Sequence, residues 1–169
     1  TIDDRLISFV DFPATLLSLA NIEPPDFMQG QAFEGKYRSN SERQYVYAHA
    51  DRFDESTDMI RAIRDKRYKY LKNYYPDKPY YLPLSYRENM DIMKELLQMR
   101  NMNKLDANQA LWFRKKKDYE ELFDTQNDPH ELNNLANDTT YYNLLVEFRN
   151  ELDKWIQKID DKGNIQEVD

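Results

Sequence analysis

The sequence contains no cysteine and only three glycines, at positions 30, 35 and 163. Without a thiol, a disulfide framework, a thiolate zinc site and a cysteine nucleophile are all excluded. The glycines form neither a glycine-rich phosphate loop nor a Gly-x-Ser-x-Gly elbow. Kinase, dinucleotide-binding and serine-hydrolase functions therefore receive no support from the sequence.

The chain also lacks paired histidines, long apolar runs and a positive net charge. His49 and His130 each lack a second histidine three or four residues away, so no helix-borne zinc motif is present and we expect no metal site. No apolar run approaches the roughly 20 residues that cross a bilayer, so we expect no transmembrane segment. A formal charge of −7 makes nucleic acid an unfavourable partner. Because the chain opens with Thr1 and not Met, we expect a processed product or a fragment of something longer.

The composition of the 169 residues, 40% hydrophobic and 33% charged, is typical of one soluble folded domain. A chain of this length buries a core without a disulfide or a metal ion. At its start, Asp11–Ala20 predicts a helix capped by Asp11, with an apolar face at Leu16, Leu17 and Leu19. The Pro24-Pro25 pair ends this region, and residues 26–43 predict a loop.

Strands and further helices follow this loop. Four short runs predict an antiparallel sheet: 44–50, 59–64, 68–73 and 119–123. Residues 86–102 predict a helix. The clearest element is a long C-terminal helix whose apolar face is formed by Tyr141, Leu144, Leu145, Phe148, Leu152, Trp155, Ile156 and Ile159. The fold class is therefore α+β, with a sheet of about four strands packed against the long C-terminal helix and an N-terminal helix and loop before it.

The polar segment 49–58, after the first predicted strand, is the best candidate for a binding site. A loop that mixes imidazole, carboxylate and guanidinium groups binds sugar hydroxyls and anionic substituents. A solvated connection with internal ion pairs is the alternative. Residues 61–72 carry a local charge of +5, which suits a sulfated ligand or a solvent-facing hairpin. Seven tyrosines follow between positions 68 and 86, and His130 lies in a turn context.

Three strings resemble the C-terminal region of type I, formylglycine-dependent sulfatases. Phe9–Ile22 is similar to the helix that begins the last third of those enzymes. Arg61–Tyr70 is similar to their R-x-x-R-x-x-R-x-K-Y hairpin, and Glu121–Asp124 with Asn127–Glu131 and Asn134–Ala136 is similar to their ELYD…DPxExxNLA segment. The aromatic and basic approach to the last strand, and the ending Leu152–Trp155, most resemble the sulfamidase (N-sulfoglucosamine sulfohydrolase) branch.

The resemblance implies that catalysis is carried out by a separate N-terminal domain. Residues 1–43 would lead from that domain, and residues 44–169 would form the C-terminal subdomain. Formylglycine and calcium are expected in the catalytic domain, since this chain has neither the C/S-x-P-S-R motif nor the metal-binding Asp pair. The chain is therefore expected to be inactive alone and to hold no catalytic or metal-binding residue. By resemblance, the substrate-binding residues are His49, Asp51, Arg52, Asp54 and Glu55.

The function implied for the parent protein is hydrolysis of sulfate from sulfated amino sugars in glycosaminoglycan or mucin glycans. Within the family, an N-acetylglucosamine-6-sulfatase is the alternative. Outside the family, the alternative is a free-standing carbohydrate-binding or protein-interaction module. The expected partners are the chain's own catalytic domain and a sulfated saccharide, and resemblance alone implies export to the periplasm, cell surface or lysosome. If the catalytic domain docks on this chain, an apolar patch should be exposed.

Overall fold

The computed structural model describes residues 4–163, so Thr1 and the expectation attached to it lie outside the described part. The elements are α1 (Asp11–Leu19), β1 (Val46–Phe53), β2 (Ser56–Arg64), β3 (Tyr68–Asn73), α2 (Ser85–Glu88), α3 (Asp91–Asn101), α4 (Ala107–Trp112), β4 (Glu120–Asp124), a 3₁₀ turn (Thr139–Tyr141) and α5 (Tyr142–Lys158). Within residues 4–163, no helix combines the length and the hydropathy needed to cross a membrane.

The four strands form one antiparallel sheet in the order β1-β2-β3-β4, which confirms the predicted α+β class. In the β3–β4 pair, Tyr70 lies opposite Leu122 and Lys72 lies opposite Glu120. Because side chains alternate between the faces of a strand, Glu120 and its neighbour Glu121 point to opposite sides of the sheet. This alternation places two carboxylates of one motif in different surroundings.

The segment predicted as a polar loop is mostly strand. β1 continues to Phe53 and β2 begins at Ser56, so only Asp54 and Glu55 connect them. Asp54 has a φ of 46°, a left-handed conformation that aspartate tolerates better than most residues. β1 lies at an edge of the sheet, where charged side chains remain in contact with water. A polar composition therefore did not prevent strand formation here.

The described chain divides into two compact units. One is formed by residues 4–47 together with Arg64–Arg67, and the other by Ala48–Ile63 together with residues 68–163. In the second unit, α5 packs on β3. Its predicted apolar face is confirmed, since Leu145, Phe148 and Leu152 are buried. The sheet contributes the buried side chains of Met59, Ile63, Tyr70 and Leu122 to this core.

The connection between β3 and β4 differs from the single helix predicted over residues 86–102. Met90 has an extended backbone, with φ −73° and ψ 137°, and separates the short helix α2 from α3. The helix α4 was not predicted, although Asp106 and Gln109 form a capping box at its start. An Asp followed three residues later by Gln is the sequence signal from which this helix could have been predicted.

In the first unit, α1 forms as predicted but turns its polar side inward. The prediction that Asp11 caps the helix is wrong, since the N-cap is Val10 and Asp11 is the first helical residue. The Asp11 carboxylate instead accepts hydrogen bonds at 2.8 Å from the backbone N–H groups of Ser8 and Gln31. It also forms a two-pronged ion pair with Arg43, at 2.6 and 2.7 Å.

The buried side of α1 continues with Thr15 and Ser18, whose hydroxyl oxygens accept the backbone N–H groups of Phe33 and Tyr37. These contacts satisfy donors of a loop that has no regular secondary structure of its own. Gly35 approaches this helix closely with a φ of +88°, and a Cβ there would lie 2.5 Å from the Ser18 carbonyl carbon. The polar side of the helix therefore holds the loop, and the apolar side is left outward.

Candidate functional site

His49 and Asp51 lie two residues apart on β1 and share the sheet face that α5 covers. The His49 ring packs beside Trp155 of α5, with ring centroids 6.4 Å apart and planes inclined by 32°. His49 is exposed, and Asp51 is half-buried. An imidazole and an indole side by side form a surface that suits a sugar ring, because one edge is polar and one face is apolar.

Asp51 is already engaged by Arg61, whose side chain is fully buried. The guanidinium donates at 2.7 Å to Asp51 and at 2.5 and 3.0 Å to the two carboxylate oxygens of Asp161. Burial alone would lower the pKa of Arg61, but these hydrogen bonds raise it, and Arg61 in turn lowers the pKa of Asp161. Arg61 therefore joins β1, β2 and the segment after α5.

Gly163 closes over this ion-pair cluster. A Cβ at this position would lie 1.9 Å from the Arg61 guanidinium and 2.9 Å from the Asp51 carboxylate. Only glycine leaves room for both groups, so Gly163 has a packing role in this cluster, and the C-cap of α5 is Ile159. Asp161 and Trp155 were not predicted as neighbours of the site, because their distance along the sequence gives no sign of this contact.

The other three predicted residues lie at the β1–β2 tip, defined here as residues 52–57. Arg52 is exposed, and its Nε donates at 2.7 Å to the carbonyl oxygen of Asp54. Asp54 is also exposed and occupies the left-handed turn position. The structure therefore brings His49 together with Asp51 beside α5, and Arg52 together with Asp54 and Glu55 at the tip. Their predicted contact with substrate stays a prediction.

Glu55 has a specific partner outside the tip. Its carboxylate accepts a hydrogen bond of 2.6 Å from the backbone N–H of Ser85, the first residue of α2. This bond, chiefly, lowers the pKa of the Glu55 carboxyl, although the side chain itself is open to solvent. An acidic group at this place satisfies one of the donors that a helix start leaves unpaired.

Acidic partners offset several charges of the basic stretch 61–72. Lys69 pairs with Glu131 at 2.5 Å, and Lys72 pairs with Asp153 at 3.0 Å. In the first unit, Lys66 pairs with Glu42 at 2.8 Å. Together with the buried pairs of Arg61, these contacts account for much of the local charge of +5 as internal structure. The stretch is therefore a weak candidate for binding a sulfated ligand.

The opposite face of the sheet buries the carboxyl group of Glu121. Glu121 is 2% exposed, and it accepts hydrogen bonds from the Tyr80 hydroxyl and, at 3.3 Å, from the Asn73 side-chain amide. Burial raises the pKa of Glu121 to about 7, and the Asn73 bond opposes this rise. The Arg114 guanidinium lies 3.6 Å from the carboxylate. Glu121 was part of a motif recognised in the sequence, but the sequence did not indicate that its carboxyl group is buried and has a raised pKa.

Several residues of the tyrosine-rich stretch are part of the packing. Tyr70 is buried and donates to Glu120 at 2.5 Å, while Tyr81 is largely buried and donates to Glu88. Arg87 and Arg100 lie over the Tyr81 ring, 5.8 and 5.3 Å from its centroid. Hydroxyl and ring faces are thus engaged inside the protein, so these tyrosines do not form an open platform for sugars.

The last motif of the sequence ties a turn to the sheet. Asn134 accepts the backbone N–H groups of Leu122 and Ala136, both at 3.0 Å, and donates to the Glu120 carbonyl at 3.1 Å. The Asn134 side chain therefore supplies β4 with the backbone hydrogen bonds that a neighbouring strand would otherwise provide. His130 is exposed in the preceding turn, which agrees with its interpretation as a turn residue.

An apolar face lies on the outward side of α1 and in the segments beside it. We call it the α1 apolar face, and it comprises Phe9, Val10, Phe12, Leu16, Leu19, Ile22 and Phe27. Phe9 is 88% exposed and Leu16 is 67% exposed, which are unusual values for large apolar side chains. Exposed large apolar side chains, which a docking surface requires, are therefore present on and beside α1.

No group of three or more histidine, aspartate or glutamate side chains in residues 4–163 is arranged to hold a metal ion. The described residues therefore do not fit the calcium ion that the resemblance implies, and calcium remains an expectation for another part of the protein.

Comparison with known sequences gives the same family as the motifs. The family described as "N-sulphoglucosamine sulphohydrolase, C-terminal" matches residues 1–111. A protein from Formosa agariphila, named ulvan-active sulfatase, is 54% identical over 167 residues, which cover 99% of this chain. The match spans 28% of that protein, so the chain corresponds to less than a third of its relative's length.

Solved structures show the same fold in larger proteins. A 2-O GAG sulfatase matches with a TM-score of 0.64 and 23% identity, covering 100% of this chain and 29% of its own. A protein solved in complex with its substrate D-glucosamine-2-N,6-O-disulfate matches with a TM-score of 0.56 and 20% identity, covering 93% of this chain and 25% of its own. At such identities the likeness concerns the fold.

Proposed function

The chain belongs to the sulfatase family of N-sulphoglucosamine sulphohydrolase C-terminal domains, and on that premise we propose that it is the recognition domain of an enzyme that releases sulfate from a sulfated saccharide. The observation that carries this proposal is the 54% identity to the ulvan-active sulfatase across nearly the whole chain. Ulvan is therefore the first substrate to test.

The α1 apolar face is the proposed contact with the catalytic domain. Leu16 and Phe9 would lose most of their exposed surface in such a contact, and burial of apolar area provides roughly 25 cal/mol per Å². The polar side of α1 is occupied by the loop 26–43, so the helix presents only its apolar side to a partner. A free-standing binding module has no need to expose such a face.

The tip and the His49–Trp155 pair are the proposed contacts with the saccharide. Arg52 would pair with an anionic substituent, since a guanidinium forms charge-assisted hydrogen bonds with sulfate or carboxylate. His49 would bind ring hydroxyls beside Trp155, and a saccharide without these groups would leave polar atoms unpaired. Asp51 would mainly hold β1 in place through its ion pair with Arg61 and would not contact the saccharide itself, because that buried guanidinium already binds its carboxylate.

Sulfated amino sugars are the second substrate class. The description of the matching family, N-sulphoglucosamine sulphohydrolase, supports an N-sulfated glucosamine in glycosaminoglycan or mucin glycans, and a 6-O-sulfated N-acetylglucosamine is the alternative. Formylglycine and calcium would supply the nucleophile and the charge stabilisation from residues outside this chain. Export from the cytoplasm is proposed on the family resemblance alone.

The test measures sulfate released by the full-length protein from ulvan, N-sulfated glucosamine and 6-O-sulfated N-acetylglucosamine, by ion chromatography. Release from ulvan alone supports the first proposal, and release from an amino sugar alone replaces it with the second. The Arg52→Ala variant tests the proposed saccharide contact and should raise KM on the preferred substrate. If no sulfate is released, and residues 1–169 bind sulfated oligosaccharide by themselves in low salt, the binding-module alternative is correct.

A further inference from the structure

The tip is held from outside by the first part of the β3–β4 connection, residues 74–88, which we call the brace. Ser85 of the brace donates its backbone N–H to Glu55 at 2.6 Å. The Ser56 hydroxyl donates to the Pro83 carbonyl at 3.2 Å. Lys78 donates to the carbonyl and hydroxyl oxygens of Thr57, at 2.6 and 3.0 Å. Three consecutive tip residues thus each contact the brace.

The brace itself is anchored in the second unit. Leu84 is 1% exposed and lies directly before Ser85, while Leu82 and Tyr81 are also buried. The Tyr81 backbone N–H donates to the Trp112 carbonyl at 3.1 Å, and the Tyr80 hydroxyl donates to buried Glu121. Pro83 and Ser85 are themselves exposed, but both adjoin the buried Leu84, which holds the backbone carbonyl and N–H groups that meet the tip. Arg52, Asp54 and Glu55 of the tip are exposed and have no buried residue directly beside them in the chain. A hydrogen bond between a fixed and an exposed group restrains the exposed one.

The geometry points to a positioning role for Glu55: its bond to Ser85 sets the tip in the conformation that presents Arg52 to the saccharide. This inference rests on the proposed function, because it takes the tip as part of the saccharide site. It differs from the sequence interpretation, in which the Glu55 carboxylate itself touches the substrate. The lowered pKa of Glu55 agrees with a carboxylate that is ionised and committed to Ser85.

The effect of this bond on saccharide binding depends on how much of the protein has the tip in its binding-competent conformation. If the binding-competent tip conformation is populated only in part, the apparent dissociation constant rises by the inverse of that fraction. Losing one restraining hydrogen bond should then weaken binding without altering the chemical step. We expect a rise in KM of roughly three- to tenfold, with kcat within about twofold of the original.

Ser85→Pro is the variant that separates the two roles, because proline has no backbone N–H to donate to Glu55. The substitution suits the backbone: Ser85 is the first helical residue, a position that proline favours. Leu84 before it is extended, with φ −127° and ψ 122°, as the residue before a proline should be. Ser85→Ala is the matched control, since it keeps the N–H, which contributes most to the lowered pKa of Glu55, and removes the hydroxyl, which contributes least.

The experiment compares these variants in the full-length protein by kinetics on ulvan and by hydrogen exchange of the tip. Ser85→Pro and Glu55→Ala should both raise KM and speed exchange in residues 52–57, and the double variant should be no worse than either. Glu55→Gln should recover most of the loss, because its amide oxygen still accepts the Ser85 N–H. Ser85→Ala should lie much closer to the original protein than Ser85→Pro does, because it keeps the N–H bond to Glu55.

The inference is overturned if Ser85→Pro changes neither KM nor exchange while Glu55→Ala raises KM, which would make Glu55 a direct substrate contact. It is also overturned if exchange rises while KM stays constant. If the original protein releases sulfate from neither ulvan nor either amino sugar, the proposed function fails. Hydrogen exchange in Ser85→Pro tests the brace independently, and unchanged exchange would refute it. Lys78→Met removes a second brace contact and should speed exchange as well, which covers a poorly folding proline variant.

Discussion

The buried carboxyl group of Glu121 should make the stability of this domain depend on pH in an unusual direction. Its pKa is about 7 in the folded protein, against an ordinary value of 4.5. The group therefore binds a proton more tightly when folded. Its contribution to stability is complete below pH 4.5, decreases as pH rises, and is lost above pH 7. Most carboxylates that are paired in the folded state act in the opposite sense.

The size of the effect follows from the difference in pKa. At roughly 1.4 kcal/mol per pKa unit, the shift corresponds to about 3 kcal/mol between acidic and alkaline pH. Glu121→Gln carries a permanently neutral amide in place of the titrating acid. We expect the variant to match the original protein near pH 4.5 and to be more stable by up to about 3 kcal/mol at pH 8.

The assay is urea unfolding of the chain between pH 4.5 and 8, followed by the fluorescence of Trp112 and Trp155. Glu120→Gln is the matched control, because Glu120 precedes Glu121 on β4 and faces the other side of the sheet. Although burial opposes it, bonds from Arg149 and Tyr70 lower the pKa of Glu120, so that variant should lose stability chiefly above pH 4.5. A Glu121→Gln effect that is constant from pH 4.5 to 8 would refute the reasoning.

Three further predictions test other contacts. Arg61→Lys should lower the free energy of unfolding by about 1–3 kcal/mol, since an ammonium cannot make the two-pronged contact to Asp161; an unchanged urea midpoint would contradict this. Leu16→Asp should change the free energy of unfolding of the isolated chain by under about 0.5 kcal/mol but lower the melting temperature of the full-length protein. A full-length protein whose melting temperature does not change would argue against docking on α1. Asn134→Ala should cost about 1–3 kcal/mol and speed hydrogen exchange at the Leu122 amide, and unchanged exchange there would disprove that this side chain supplies β4 with hydrogen bonds.

The spacing of hydrophobic residues and the residue types typical of turns made most of the helices and strands predictable. The spacing of Leu145, Phe148 and Leu152 defines one face of a long helix in any surroundings, and these three side chains are buried in the structure. Part of the last family motif was readable for the same reason, since Asp124 acts on its own neighbours in the chain. Asp124, for example, accepts the N–H groups of Gln126 and Asn127 in the turn that follows it.

Local sequence patterns could not predict structure that depends on contacts with segments far away in the chain. The polar stretch 49–58 has a loop composition, but pairing with the neighbouring strand satisfied its backbone and made it β1 and the start of β2. The apolar face of α1 is typical of a buried side, yet Thr15 and Ser18 are buried instead because the loop 26–43 needed acceptors. Competition between partners far apart in the sequence decided both cases.

The sequence by itself determined the family, the fold class and the long C-terminal helix, and it predicted a set of saccharide-binding residues that stays a prediction. Those conclusions depend on local spacing, composition and ordered motifs. Only the tertiary structure decided that Arg61 holds Asp51 and Asp161, that Glu55 binds Ser85, and that Glu121 is buried while Glu120 is ion-paired. The physical reason is that the charge, hydration and partners of a side chain depend on which distant residues surround it after folding.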